Sequence, residues 1–220
     1  MTERSIATTI HGRYELAGPA THGAGPPPLL VGFHGYAESV ALQFRRQRAL
    51  PGTSEWAHVA VQGLHRFYRG RDEEVVASWM TRQDRAEAIA DNLGYVAAVV
   101  AAVRGELGIG LLVFAGFSQG VAMAFRAAAA GPCQGVIALG GDVPPELAKR
   151  ETLILPPVLL ARGTADDWYN AGKLEHDVAL LRERNVPVEP FTFDGGHEWT
   201  DAFADAASRF LARIREGSRC

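Results

Sequence analysis

From about residue 29 onward the chain alternates two patterns. Short apolar-rich runs, such as 29–33 (LLVGF), 56–61, 111–115 and 158–161, are bounded by glycine, proline and polar residues. Runs of that kind predict strands buried on both faces, as in a parallel sheet. Between them lie longer stretches whose apolar positions recur every three or four residues. The clearest is 83–107, with Ile89, Leu93, Val96, Val100 and Val103 on one helical face; 39–50, 171–183 and 201–214 read the same way. Residues 136–139 and 188–193 complete the expected strands. Residues 4–16 predict an antiparallel strand or hairpin, 18–28 a Gly/Pro-rich surface loop, and 62–79 a long polar and aromatic loop.

Strand and helix in alternation predict an α/β sandwich with a mostly parallel sheet, here as one domain over 1–220. In open sheets of this kind ligands sit beyond the carboxyl ends of the strands. That rule singles out the loops after Phe33, Ala115, Ala161 and Phe193.

Composition narrows the classes of function. The chain of 220 residues has 47% hydrophobic and 21% charged residues and a net charge of −3. It has no basic run, so nucleic acid is excluded as an expected partner. Two cysteines, Cys133 and Cys220, match no zinc or CxxC spacing. Cys133 is expected to be a small, mostly buried thiol, and Cys220 to be mobile at the chain end. The first residues, MTERSIATTIHGRYEL, carry charge where a signal peptide would be apolar, and no run of 18 apolar residues occurs. The expectation is a cytoplasmic protein without a membrane span; oligomeric state is left open.

Four motifs carry chemistry. Gly116-Phe117-Ser118-Gln119-Gly120 follows the strand LLVFA and precedes the helical run VAMAFRAAAA. Strand, sharp turn and helix are the context of a nucleophile elbow, which lifts a serine hydroxyl clear of the sheet. A serine needs an adjacent base. His197, in GGHEW after the last strand, supplies one at the right place in the chain order Ser…Asp…His. The loop Arg162-Gly163-Thr164-Ala165-Asp166-Asp167-Trp168 offers the carboxylate that orients the imidazole. Asp166 is the choice, Asp167 the alternative, and Asp142 a weaker third. The fourth motif, His34-Gly35-Tyr36-Ala37-Glu38, lets the backbone bend its amides toward the site. The N–H groups of Tyr36 and Gln119 are assigned to an oxyanion hole, and His34 to a structural role.

The stretches FHGYAES, ASW at 77–79, GFSQGVAMAF, RGTADDW and GGHEW, spanning about residues 29–200 in order, resemble the phospholipase/carboxylesterase family of α/β-hydrolases, which includes acyl-protein thioesterases and small bacterial esterases. The resemblance implies an α/β-hydrolase fold and a Ser118-Asp166-His197 hydrolase of carboxylic esters or thioesters that uses neither metal nor organic cofactor. It also implies the oxyanion amides of Tyr36 and Gln119. Arg162 departs from the family, which often has histidine there, and so does Trp79-Met80-Thr81, where the family commonly has Trp-Phe-Asp. Both departures bear on substrate preference, and a peptidase or lactone hydrolase on the same scaffold, or a non-enzymatic binding module, is the alternative.

Residues 140–157 leave no room for a helical cap, so an open cleft for short or medium acyl chains is expected. Trp79, Trp168 and Trp199 are its candidate substrate-binding residues. Arg66, Arg69 and Arg71 are expected to be solvated, with a positive rim for acidic substrates as the sharper reading.

Overall fold

The computed structural model describes residues 2, 4–23, 25–71 and 73–218; Cys220 lies outside them. A seven-stranded sheet runs in the order β1-β3-β2-β6-β7-β8-β9, made of β1 (Tyr14–Ala17), β2 (Pro28–Phe33), β3 (Ala57–Val61), β6 (Leu111–Phe117), β7 (Gly135–Leu139), β8 (Val158–Gly163) and β9 (Val188–Phe193). Only β1 is antiparallel to its neighbour. The remaining pair, β4 (His65–Arg69) and β5 (Glu74–Ser78), forms a separate antiparallel hairpin.

Helices α1 (Val40–Arg48), α2 (Arg85–Leu107), α3 (Gln119–Ala130), α4 (Pro145–Ala148), α5 (Ala171–Glu183) and α6 (Asp201–Gly217) complete the chain. Alternation along the strands divides the core. Leu29, Val31, Phe33, Leu112 and Phe114 point toward the valines of α2 and the nearly all-buried α3. Leu30, Leu111, Val113 and Phe117 point toward Phe203, Ala207, Phe210 and Leu211 of α6. The spacing of those last four places them on one helical face. Each buried Leu, Val or Phe among them contributes about 1.5–3 kcal/mol.

By length and composition α2 is apolar enough to cross a membrane. Here Val96, Val99, Val100 and Val103 pack into the core, while Asp91 and Arg104 are exposed.

The strand register sets up the site. Phe33 lies opposite Gly116, Phe117 opposite Leu139, and Gly163 opposite Phe193. The residues that follow, His34, Ser118, Gly140, Thr164 and Asp194, therefore emerge together at the carboxyl edge of the sheet.

Two expectations change. The region 62–79 is not an irregular loop but holds the hairpin. HRFYR and EVVAS pair across Gly70, whose φ of 64° makes the turn. The antiparallel strand expected over 4–16 is present but shorter and later: among the described residues it is the four-residue edge strand β1, Tyr14–Ala17, paired with β3.

Candidate active site

Ser118 occupies a strained conformation, φ 52° and ψ −120°, between β6 and α3. A non-glycine residue there costs about 1–3 kcal/mol and persists only when its surroundings enforce it. The flanking glycines show what enforces it. A Cβ at Gly116 would stand 2.4 Å from the Gly120 carbonyl oxygen, and one at Gly120 would stand 2.1 Å from that of Phe33. Only glycine fits either place, so the turn closes tightly against β2.

Ser118 holds the N-cap position of α3 but makes no side-chain cap. Ser39, Asn170 and Thr200, in the same position on α1, α5 and α6, each accept a helix amide hydrogen bond. The Ser118 hydroxyl is thus raised at the positive end of a 12-residue helix without being engaged by it.

The loop after β2 is fastened on several sides. Gly35 N–H donates to Glu38 Oε2 (2.8 Å), Ala37 N–H to Ala77 O (3.0 Å) and Glu38 N–H to Gly35 O (3.3 Å). Tyr36 N–H has no acceptor among the described residues. Arg46 donates to both Glu38 carboxylate oxygens, and its guanidinium lies 4.9 Å from the centre of the Phe117 ring. Ala77 N–H returns a bond to Glu38 O, which ties the hairpin to the loop. Below it, His34 is fully buried. Its Nε2 accepts from Gly63 N–H, which puts the proton on Nδ1, bonded to Gly35 O. Burial lowers its pKa, in keeping with a neutral structural ring.

The loops after β8 and β9 meet one another. Thr164 N–H donates to Phe193 O, and Ala165 N–H to Gly195 O, both at 2.8 Å. Asp166 is buried, and its Oδ2 lies 2.8 Å from His197 Nδ1. Its Oδ1 accepts from the amides of Trp168 (2.9 Å) and Tyr169 (2.8 Å). With both carboxylate oxygens engaged, Asp166 holds the imidazole with Nδ1–H toward itself and Nε2 outward. The His197 ring packs 5.0 Å from Phe117, the residue before Ser118. A Cβ at Gly140 would come 2.9 Å from the ring, so glycine there makes space for it. Asp167 is exposed, and Asp142 turns to Lys173 at 3.6 Å. Neither competes for His197.

No family model and no curated protein matches this chain. Solved structures match over most of it. Esterase PE8 is 22% identical over 93% of this chain and all of its own, with a TM-score of 0.75. A carboxylesterase from Mesorhizobium loti is 21% identical over 91% of this chain and 94% of its own, with a TM-score of 0.71. Acyl-protein thioesterase 2 from Zea mays is 18% identical over 93% and 99%, with a TM-score of 0.70. The chain has the α/β-hydrolase fold. Among the described residues there is no large cap: between β7 and β8 the one helix is the four-residue α4.

The site residues anticipated from sequence gather at one edge of this fold, with one correction among the aromatics. Trp79 is fully buried, its indole N–H donating to His34 O at 2.9 Å and its ring packed on Phe33. It braces the loop after β2 and has no surface to offer a substrate. Trp168 is 69% exposed, and Trp199 is half-buried edge-on against Phe203. Tyr36, 61% exposed, packs against Phe67 of the hairpin, with ring centres 5.8 Å apart and planes tilted by 34°. Arg69 pairs with Glu74 and donates to Ala37 O, which weakens the case for a positive rim. Among the described residues no group of three His, Cys, Asp or Glu could hold a metal ion.

The Gln119 side chain was not anticipated. Its Oε1 accepts from Trp79 N–H (3.0 Å) and Ser78 Oγ (3.2 Å), and its Nε2 donates to Met80 O (3.0 Å). It links the elbow to the segment that carries Trp79. Nothing in sequence spacing signals a bond across about 40 residues.

Proposed function

We propose that the protein is a serine hydrolase of carboxylic esters or thioesters, working through an acyl-enzyme on short to medium acyl chains. The observation that carries this reading is the 2.8 Å bond between His197 Nδ1 and buried Asp166, above the end of the strand that presents Ser118.

In this mechanism His197 Nε2 takes the Ser118 proton as Oγ attacks the substrate carbonyl. The C=O π bond opens, and the oxyanion is met by the N–H groups of Tyr36 and Gln119. Asp166 steadies the imidazolium without taking its proton. His197 then protonates the leaving alcohol or thiol as that bond breaks. Water, deprotonated by His197, releases the acid by the same route.

Support for the oxyanion assignment is that Gly35, Ala37 and Glu38 have their amides bonded while Tyr36 does not. Gln119, first residue of α3, has an amide without an intrahelical partner. The exposed Tyr36 and Trp168 and the lack of a large cap favour an open cleft and a small-molecule substrate. Esterases and a thioesterase with the same fold support acyl transfer as the chemistry.

The test is hydrolysis of p-nitrophenyl esters from acetate to palmitate by the native protein and Ser118→Ala. Turnover in the native protein should peak at short or medium chains and be almost abolished in the variant. Substantial activity in a folded Ser118→Ala protein would refute the assignment.

A further inference from the structure

Arg162 is 7% exposed, yet none of the ion pairs among the described residues includes it. A buried guanidinium is costly unless its N–H groups find acceptors. Here the acceptors are backbone carbonyls: Nε donates to Tyr169 O (2.9 Å), and Nη2 to Thr164 O (3.0 Å) and Asp166 O (3.4 Å). All three belong to the turn between β8 and α5, so the turn is wound around the side chain.

We propose that Arg162 is a positioning residue for Asp166, using its planar fork to fix the turn that aims the carboxylate at His197. The inference rests on the hydrolase reading for its kinetic consequence. The chain of contacts is short. Tyr169 is held from both sides, its C=O by Arg162 Nε and its N–H by Asp166 Oδ1. The Asp166 peptide is likewise held, its C=O by Arg162 Nη2 and its N–H by Gly163 O at 3.2 Å. With the Trp168 and Tyr169 amides fixed on Oδ1, the carboxylate has one rotation left, which leaves Oδ2 for His197. Arg162 touches neither Ser118 nor His197, so it acts only through the turn. Lysine can carry the charge but cannot reproduce a fork that reaches three carbonyls at fixed angles.

The experiment compares wild type, Arg162→Lys and Arg162→Gln. It reads the low-field proton resonance of His197 Nδ1, kcat and KM on the best ester, and the thermal midpoint. Leu181→Ala, a cavity variant in α5, is the control for destabilisation alone. The expected result is loss or a clear upfield shift of the resonance in both Arg162 variants. It comes with about a hundredfold drop in kcat, the scale of an ångström of misplacement, and KM within about twofold. Leu181→Ala should lose thermal stability and keep the resonance. Arg162→Lys with the wild-type resonance and kcat within twofold overturns the proposal. So does a Leu181→Ala protein that loses the resonance equally. If neither Arg162 variant folds, amide exchange in the wild type decides: Trp168 and Tyr169 must be protected like β8, and exchange at exposed-loop rates overturns the proposal. The two readings fail separately. A wild type that neither hydrolyses esters nor takes a fluorophosphonate on Ser118 defeats the hydrolase, while the proton resonance still judges Arg162.

Discussion

The two flanks of the Ser118 elbow are built on different principles. On the β8–β9 side, Asp166 and His197 each stand in the loop directly beyond one of two paired strand ends, and backbone bonds such as Ala165 N–H to Gly195 O fix their approach. On the β2–β3 side, the Tyr36 loop is held by distant partners. These are an ion pair from α1, a bridge from the β4–β5 hairpin, and the buried Trp79 and His34 beneath. One flank is positioned by strand register and a tight local turn, the other by side chains from distant elements and a separate hairpin. The first should be sensitive at single residues, and the second should distribute its losses.

The largest expected effect is on the register-built flank. Asp166→Asn leaves the packing in place but can favour the wrong imidazole tautomer. A loss in kcat on the order of 10⁴-fold is expected, as in serine hydrolases whose triad acid is amidated. Asp167→Asn, one residue away and exposed, should stay within about twofold. Steady-state kinetics on one ester checks both, and comparable losses would mean that the 2.8 Å bond is not the working one.

That contrast tracks how much could be read from the sequence. The interior parallel strands β2, β3, β6, β7 and β8 are legible as largely apolar runs, because burial on both faces leaves little room for polar residues, whereas the edge strand β9, VEPFTF, is mostly exposed and mixes polar with apolar positions. The elbow was legible because its glycines are required sterically. Asp166 could be preferred to Asp167 but not separated from it, since only the fold shows which one turns inward. The hairpin has the sequence signature of a loop because all five residues of β4 are exposed, so HRFYR lacks the apolar alternation of a half-buried strand. Trp79 was misplaced for the opposite reason. An aromatic beside a site motif looks like a substrate wall until the indole N–H is found bonded to His34 O, 45 residues away.

A second difference between the flanks is their response to acid. His58, on β3, is 3% exposed, and burial lowers its pKa from 6.5 to about 4. The folded state favours the neutral ring, so its contribution is complete above pH 6.5 and is lost as pH falls toward 4. The shift, 6.5 − 4 = about 2.5 units, corresponds to on the order of 3 kcal/mol. Across the elbow, Asp177 accepts from Tyr169 OH and Val143 N–H, and burial raises its pKa. Its folded state favours the protonated acid, so that contribution is present at low pH and fades as pH rises through the raised value. Thermal midpoints between pH 7.5 and 4 should therefore fall less steeply for His58→Gln than for wild type. Asp177→Asn should gain relative to wild type at neutral pH. Parallel curves for wild type and His58→Gln would remove the assignment to His58.

A loss of activity far smaller than that of Asp166→Asn is the sharpest probe of the side-chain-built flank. Gln119→Ala keeps the backbone N–H proposed for the oxyanion, so the catalytic donor itself is not removed. What it loses is the clamp to Ser78, Trp79 and Met80, and with it one fastening beneath the Tyr36 loop. The hairpin bridge between Glu38 and Ala77 and the Arg46–Glu38 pair remain. With the load shared, kcat should fall only about tenfold, roughly 1.4 kcal/mol of transition-state stabilisation, and KM should hardly move. Gln119→Glu should fall further. It keeps an acceptor for Trp79 N–H but sets an acceptor against the Met80 carbonyl and a negative charge beside the developing oxyanion. An alanine variant with undiminished kcat would show that backbone bridges alone hold the loop. One that falls as far as Asp166→Asn would show that the two flanks are equally brittle, and the distinction between them would not stand.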